Sequence, residues 1–282
     1  MKKKNAEILL AIIVMARATG YLFSTVCLRE MGVFTLLAER FLLAGCLLLI
    51  LFNKKLRWDH RTLARGCLLG MTYFLCMICE LTSLKTTATS TVSLLENNAM
   101  ILVPLLEWII CRKHPSRRVV TCALVALIGV YFLTAEGTNL NLTMGELLSI
   151  GAAFFSAIGI MLTAHFARES DGLSLGIFEV ASVGVYALLF CLLLESPCLP
   201  QTFASGGALL YLAVVCTGFA YTLQPIVQRN LEADQASLFF AINPAFAFIL
   251  GITILHEPIT WQRIIGTLLI LISLLISGRG ET

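Results

Sequence analysis

Apolar runs of about twenty residues recur along the chain, each ended by a short polar stretch. A helix needs about 20 mainly apolar residues to cross the hydrocarbon core of a bilayer. The pattern predicts spans at about 7–28, 33–52, 66–84, 91–111, 118–135, 145–166, 174–194, 207–227, 236–255 and 260–277. The fold class expected is all-α: a polytopic membrane protein of ten transmembrane helices with short loops.

The polar interruptions carry the information. Within the run from Thr91 to Cys111 stand Glu96, Asn97 and Asn98 in succession, then Pro104 and Glu107. An acidic residue at the centre of a span costs roughly 2.5–3.5 kcal/mol on insertion scales. Such a helix must turn that side toward protein or water. Helical spacing gathers further polar positions into faces: Arg17, Tyr21 and Ser24; Tyr73, Met77 and Glu80; Glu96, Met100, Val103 and Glu107; Thr217, Tyr221, Gln224 and Gln228. A stripe of small residues, Ser149, Ala152, Ser156, Gly159 and Thr163, suits close helix packing rather than ligand contact.

Composition agrees with the pattern. The 282 residues are 58% hydrophobic and 13% charged, with mean hydropathy +0.89, whereas about a quarter of a soluble domain is charged. No basic patch with interleaved aromatics suggests nucleic acid. The ten cysteines lie almost all in apolar runs, and Cys76-x-x-Cys79 stands on an apolar segment without His or Asp nearby, so packing thiols are expected rather than disulfides or a metal site. Ala16-Arg17-Ala18 mimics a signal-peptide cleavage site, but the apolar run continues past it to Cys27, long enough to span.

Charge sets the expected orientation. One set of loops holds Lys2, Lys3, Lys4, Lys54, Lys55, Arg57, Arg61, Arg65, Arg112, Lys113, Arg117, Arg118, Arg168, Arg229 and Arg279; the other holds Arg29, Lys85 and Arg263. The positive-inside rule then places both termini in the cytoplasm of a multi-pass protein, and the short loops suit the cell inner (plasma) membrane. The connection Ala135–Met144 divides the chain into 1–138 and 139–282, two halves of five spans each. An odd number of spans gives the halves opposite topology, the plan of an inverted repeat. At about 1.5 Å per residue, Tyr21, Arg40, Glu80 and Glu96 share a layer on the order of 6–10 Å below one surface. Asn243, Tyr221 and Gln224 mirror it from the other.

Several stretches carry a resemblance. Thr217–Ile276 resembles the closing three helices of the EamA-type transporters of the drug/metabolite transporter superfamily, with Asn243-Pro244, Glu257-Pro258 and Gly266 at the family's positions. In the first half Gly20, Glu39-Arg40-Phe41, Ser83–Ala88, Val103–Leu106 and Arg112–Pro115 are similar to its helix 1 glycine, helix 2 arginine and the turns around helix 4. Thr19 replaces the family's usual tryptophan, and Lys113-His114 replaces a frequent glutamate. The resemblance implies ten helices in two inverted halves and solute movement, often export of amino acids, metabolites or drugs.

The expected function is secondary transport of small metabolites, amino acids or related solutes, by alternating access between rocking halves. The candidate substrate contacts are Arg17, Tyr21, Arg40, Tyr73, Glu80, Glu96, Asn97, Tyr221, Gln224 and Asn243. Glu96 and Glu80 are the candidates for proton coupling, and Pro104 and Pro244 for hinges. Arg40 or Arg17 would hold an anionic group, while Glu96 or Glu80 takes a proton or an amino group. The plainer readings are packing for the tyrosines, a static kink for the prolines, and a structural ion pair of Arg40 with Glu80, Glu96 or Glu39. Glu107 and Glu179 fall near span ends and are expected at the interface. No cofactor, metal motif, phosphate loop or nucleophile–base pair is evident, so no enzyme is expected. The partners expected are a small solute, the bilayer and protons, with a monomer or homodimer left open. The alternatives are a non-transporting scaffold or receptor, or a membrane-embedded hydrolase.

Overall fold

The computed structural model describes residues 3–111, 117–136, 139–140, 142–229, 242–256 and 259–277. It is helical almost throughout. The elements are α1 (Lys3–Cys27), α2 (Val33–Phe52), α3 (His60–Leu84), α4 (Thr89–Asn97), α5 (Ala99–Cys111), α6 (Arg117–Thr134), α7 (Met144–Glu169), α8 (Gly172–Leu194), α9 (Phe203–Tyr211), α10 (Ala220–Gln228), α11 (Ile242–Thr253) and α12 (Trp261–Ser277). A 3₁₀ turn, Asn53–Lys55, follows α2. Between α6 and α7, Ala135 and Glu136 pair antiparallel with Leu140 and Asn139.

Among the described residues seven helical stretches are long and apolar enough to cross a membrane: Ile8–Cys27, Val33–Lys55, His60–Leu84, Thr89–Ile109, Met144–Glu169, Gly172–Leu194 and Phe203–Val227. Val120–Gly129 and Ile264–Ser273 are shorter apolar helices. The expected residues 236–241, the Arg112–Pro115 turn and Glu257-Pro258 lie outside the described residues.

Two expected spans differ in form. The segment 91–111 is two helices, because the chain breaks at Asn98. The Asn97 amide donates to the Ser93 carbonyl at 2.7 Å, and the Asn98 amide to Leu94 and Leu95 at 3.0 and 3.2 Å. Backbone N–H groups of Asn98 and Ile101 tighten to carbonyls three residues back, so side-chain amides and a 3₁₀-like turn replace the regular ladder. The interruption comes before Pro104, which lies within α5. The span expected at 207–227 begins at Phe203 and passes through a π-helical stretch, Leu212–Phe219, between α9 and α10. Such wide turns reset the angular position of everything after them.

Other helices begin earlier than apolar counting expects, because capped polar turns precede their apolar part. Asp59 accepts from the Thr62 N–H at 3.1 Å and starts α3 at His60 rather than 66. Thr143 and Glu146 form a capping box at α7, and Asp171 accepts from the Ser174 N–H to start α8.

The outer surface carries many exposed apolar side chains, and the largely apolar interior also encloses a set of polar and charged groups. Leu43, Leu47, Ile50 and Leu51 on α2, and Leu188, Leu189, Leu192 and Leu193 on α8, are exposed. Arg40, Glu80, Glu96, Glu179, Gln224 and Asn243 are buried. In lipid this sorting satisfies both sides.

Helix α8 is the packing centre, against α2, α3 and α10. Close approach is made possible by glycine. A Cβ on Gly176 would stand 2.9 Å from the Thr222 backbone of α10, and one on Gly70 of α3 would stand 2.9 Å from the Glu179 carbonyl oxygen of α8. The small-residue stripe of α7 packs on α3: the Ser83 and Ser149 hydroxyls are 2.7 Å apart, and Gly159 leaves room for the Tyr73 ring. The other main helix pairings are α6 with α12, α4 with α7 and α11, and α1 with α10 and α11.

Candidate functional site

Packing α1, α3, α4 and α10 together brings most of the sequence-predicted residues into one buried cluster. From α1, Tyr21 donates its hydroxyl hydrogen to Glu96 Oε2 at 2.7 Å. The Glu80 carboxyl from α3 is in hydrogen-bonding contact with the Glu96 carboxyl. The Cys76 thiol reaches Glu96 Oε1 at 3.8 Å and the Ala152 carbonyl at 3.4 Å. Two carboxyls in contact form a hydrogen bond only by sharing a proton.

Arg17 lies beside this pair. Its guanidinium donates to Gln224 Oε1 at 2.7 Å and to the Tyr221 hydroxyl at 3.2 Å, with its carbon 4.5 Å from the centre of the Tyr221 ring. Gln224 in turn donates from Nε2 to the Tyr73 hydroxyl at 3.1 Å. The Tyr73 and Tyr221 rings meet edge to face at 5.4 Å. This belt of α1, α10 and α3 fixes the guanidinium plane, which a lysine ammonium could not match.

The second arginine has a different partner from those expected. Arg40 Nε donates to Thr217 Oγ1 at 2.5 Å. Among the described residues no carboxylate lies within ion-pair distance of Arg40. The π-helical stretch carries Thr217, so the same wide turn that breaks the regular ladder places this hydroxyl. Helical spacing groups Thr217 with Tyr221 and Gln224, and all three are buried; the Gln228 side chain lies outside the described residues.

Asn97 and Asn243 complete the walls. A cavity of about 20 Å³ is lined by Arg17, Glu96, Asn97, Ser156 and Asn243 among others, and one of about 10 Å³ by Arg17, Tyr21, Arg40, Glu80, Tyr221 and Asn243. Arg17 and Asn243 line both. Asn243 Oδ1 is buried with no hydrogen-bond partner among the described residues. A water requires roughly 10–15 Å³, so each cavity has room for about one. Neither cavity holds more than about one water, so a metabolite fits there only if the walls part.

Glu179 was expected at the interface and is not there. It is 2% exposed on α8, because Gly66, Gly70 and Gly176 draw α3 and α10 onto this part of the helix. The spacings Gly66-x₃-Gly70 and Gly172-x₃-Gly176 are the sequence signal that could have found it. Glu107 is half-buried. Among the described residues no three His, Cys, Asp or Glu side chains converge as metal ligands.

Comparison with known proteins fits this picture. The profile of the EamA-like transporter family matches residues 4–135 and again 143–279. An uncharacterized transporter of Archaeoglobus fulgidus is 24% identical over 277 residues, covering 98% of this chain and 86% of its own. A second one from that organism is 24% identical over 276 residues, 93% of each chain. YoaV, an uncharacterized transporter of Bacillus subtilis, is 25% identical over 150 residues, 53% of this chain and 51% of its own. A crystal structure at 17% identity superposes with a TM-score of 0.73 over 99% of both chains, which is a likeness of fold. With matches spanning nearly its whole length, the chain belongs to the EamA-like transporter family, a family of membrane transporters.

Proposed function

We propose that the protein is a secondary transporter of small metabolites, amino acids or related solutes, working by alternating access and linked to protons, with export as its direction. The observation that carries this reading is the buried interior cluster. Two guanidiniums and two touching carboxyls stand among buried tyrosines, around cavities that share Arg17 and Asn243. A static scaffold gains nothing from such groups in lipid, where each is costly. Arg17 and Arg40 are the groups for a solute anion, and the shared proton of Glu80 and Glu96 is the coupling ion. Tyr21, Tyr73, Tyr221, Gln224, Asn97 and Asn243 are the neutral contacts.

The scaffold for this cycle is ten spans in two inverted five-helix repeats, 1–138 and 139–282, with both termini cytoplasmic in the cell inner membrane. Two observations support it. The family profile matches once in each half. The pairings α3 with α7 and α1 with α10 exchange under a two-fold that maps the first half on the second, as do α4 with α7 and α1 with α11; α2 with α8, α4 with α11 and α6 with α12 map on themselves. Pro104 and Pro244 are the positions where half-helices would bend, Pro104 in concert with the break at Asn98.

Counterflow in proteoliposomes tests this reading. Vesicles preloaded with amino acids, small metabolites and cationic drugs, and holding a pH dye, should exchange one class saturably and report proton movement. Absence of exchange for every class, from protein shown to be folded, would turn the reading toward a scaffold.

A further inference from the structure

The cluster described above leaves one buried acid unused. Glu179 is 2% exposed, and among the described residues no side chain or backbone group donates a hydrogen bond to its carboxyl. The helices packed on α8 bring Glu39 and Arg40 from α2, Tyr73 and Glu80 from α3 and Tyr221 from α10, with Arg65, His165 and Glu169 at the end of the bundle. The cation that acts on Glu179 is Arg17, and the ring in its field is Tyr73. Arg17 also acts on Glu96, and on Glu80 together with Arg40.

Glu179 lies on the other side of the Arg17–Gln224–Tyr73 belt from the touching pair. Gly70 marks its level on α3, since a Cβ there would meet the Glu179 carbonyl. Glu80 is ten residues further along the same helix, roughly 15 Å at the α-helical rise. Glu179 is toward the end of the bundle where Arg65 pairs with Glu169, and Glu80 toward the end where Ser83 meets Ser149. Each end therefore has its own carboxyl station, with one guanidinium between them.

Charge counting makes the arrangement specific. Among the described residues around the cluster there are two guanidiniums, Arg17 and Arg40, and three buried carboxyls, Glu80, Glu96 and Glu179, with the half-buried Glu39 counted outside this set. This set is neutral when one of the three carboxyls carries a proton. Moving that proton between stations leaves the total unchanged, which in a low-dielectric interior avoids a large electrostatic cost.

We propose that Glu179 is a second proton station of the transport cycle, coupled through Arg17 to the Glu80–Glu96 pair, and that a proton taken up at the pair leaves through Glu179. In this step the O–H bond at the pair breaks, and its two carboxyls become two carboxylates. The Glu179 carboxylate gains the proton on one oxygen and releases it to water at its own end of the bundle. Arg17 shifts its attraction to the newly charged pair. This rests on the proton-linked transport reading above.

The test begins on purified protein and needs no solute. Infrared titration of the carboxyl C=O stretch in wild type, Glu179→Gln and Glu96→Gln separates the groups. The expected result is loss of one titrating carboxyl in Glu179→Gln, and displacement of the Glu179 midpoint by about one pH unit in Glu96→Gln. An unchanged titration in Glu179→Gln, or a Glu179 midpoint indifferent to Glu96→Gln, overturns the proposal. In proteoliposomes loaded with the exchanged solute, Glu179→Gln should keep equal-pH counterflow and lose at least tenfold of the accumulation driven by a pH gradient. Wild-type accumulation in that variant overturns the proposal too. If wild type itself ignores the pH gradient, the proton-linked reading fails, and the infrared result still decides whether Glu179 is coupled to the pair.

Discussion

Glu30 and Glu195 exchange helix caps across one end of the bundle. Glu30, between α1 and α2, accepts from the N–H groups of Gln201 and Thr202 and from the Thr202 and Ser205 hydroxyls, at 2.6–3.3 Å, and so caps α9. Glu195, between α8 and α9, accepts from the N–H groups of Phe34 and Thr35 and the Thr35 hydroxyl at 2.8–3.3 Å, and so caps α2. Each loop thus starts the helix that follows the other loop. A carboxylate at a helix N-terminus also meets the positive end of its dipole. This end is held by two anions, and the alternating access proposed above would require these caps to part.

The latch is sensitive to acid in one direction. Hydrogen bonds from Ser205 and Thr202 hold the Glu30 carboxyl below its usual range. A carboxyl depressed in the folded state contributes stability that is complete above its unfolded value and is lost as pH falls through the folded one. Thermal unfolding in detergent should therefore show a drop below about pH 4 that is smaller in Glu30→Gln. An identical acid limb in the two proteins would contradict the assignment.

Gly32 is where the Glu195 cap can be tested without touching the acid. A Cβ at this N-cap of α2 would stand 2.0 Å from the Glu195 carboxylate. Gly32→Ala should displace that carboxylate and cost about 1 kcal/mol, the usual value of a lost cap. Glu195→Ala should cost about the same, and the double variant no more than either single one. Additive losses would mean that Gly32 acts in some other way.

Arg40 depends on a hydroxyl 177 residues away. Thr217→Val leaves its Nε without that acceptor in a buried site, a loss of about 1–3 kcal/mol. Thr217→Ser should restore both stability and counterflow. Loss with serine equal to the loss with valine would show that the hydroxyl is not what matters.

Tyr73 is held by the absence of a side chain opposite it. The Cβ of Gly159→Ala would come within 2.9 Å of its ring, pushing the hydroxyl from Gln224. Overpacking of this kind costs roughly 1–3 kcal/mol. Counterflow should fall with stability in Gly159→Ala, whereas Tyr73→Phe should remove the hydroxyl and keep the packing. Wild-type behaviour in Gly159→Ala would mean that α3 and α7 separate freely there.

The faces of α1, α3 and α10 were legible because helical spacing alone aligns Arg17 with Tyr21, Tyr73 with Glu80, and Tyr221 with Gln224. Which faces meet was not, since Arg17 and Gln224 are joined only by the packing of distant helices. The break at Asn98 hides in an apolar average, as the amides that cause it act on their own backbone. Glu179 sits close enough to a helix end that depth counting alone assigns it to the interface. The glycines that draw neighbouring helices over it belong partly to another segment.

The central claim is that the buried cluster moves solute and proton together. Its most direct test is the pH dependence of solute flux in proteoliposomes of wild type, Glu80→Gln and Glu96→Gln, each shown to be folded. Because the two carboxyls touch and share a proton, the account predicts that at least one substitution abolishes the pH dependence of flux. Wild-type pH dependence in both variants would contradict it.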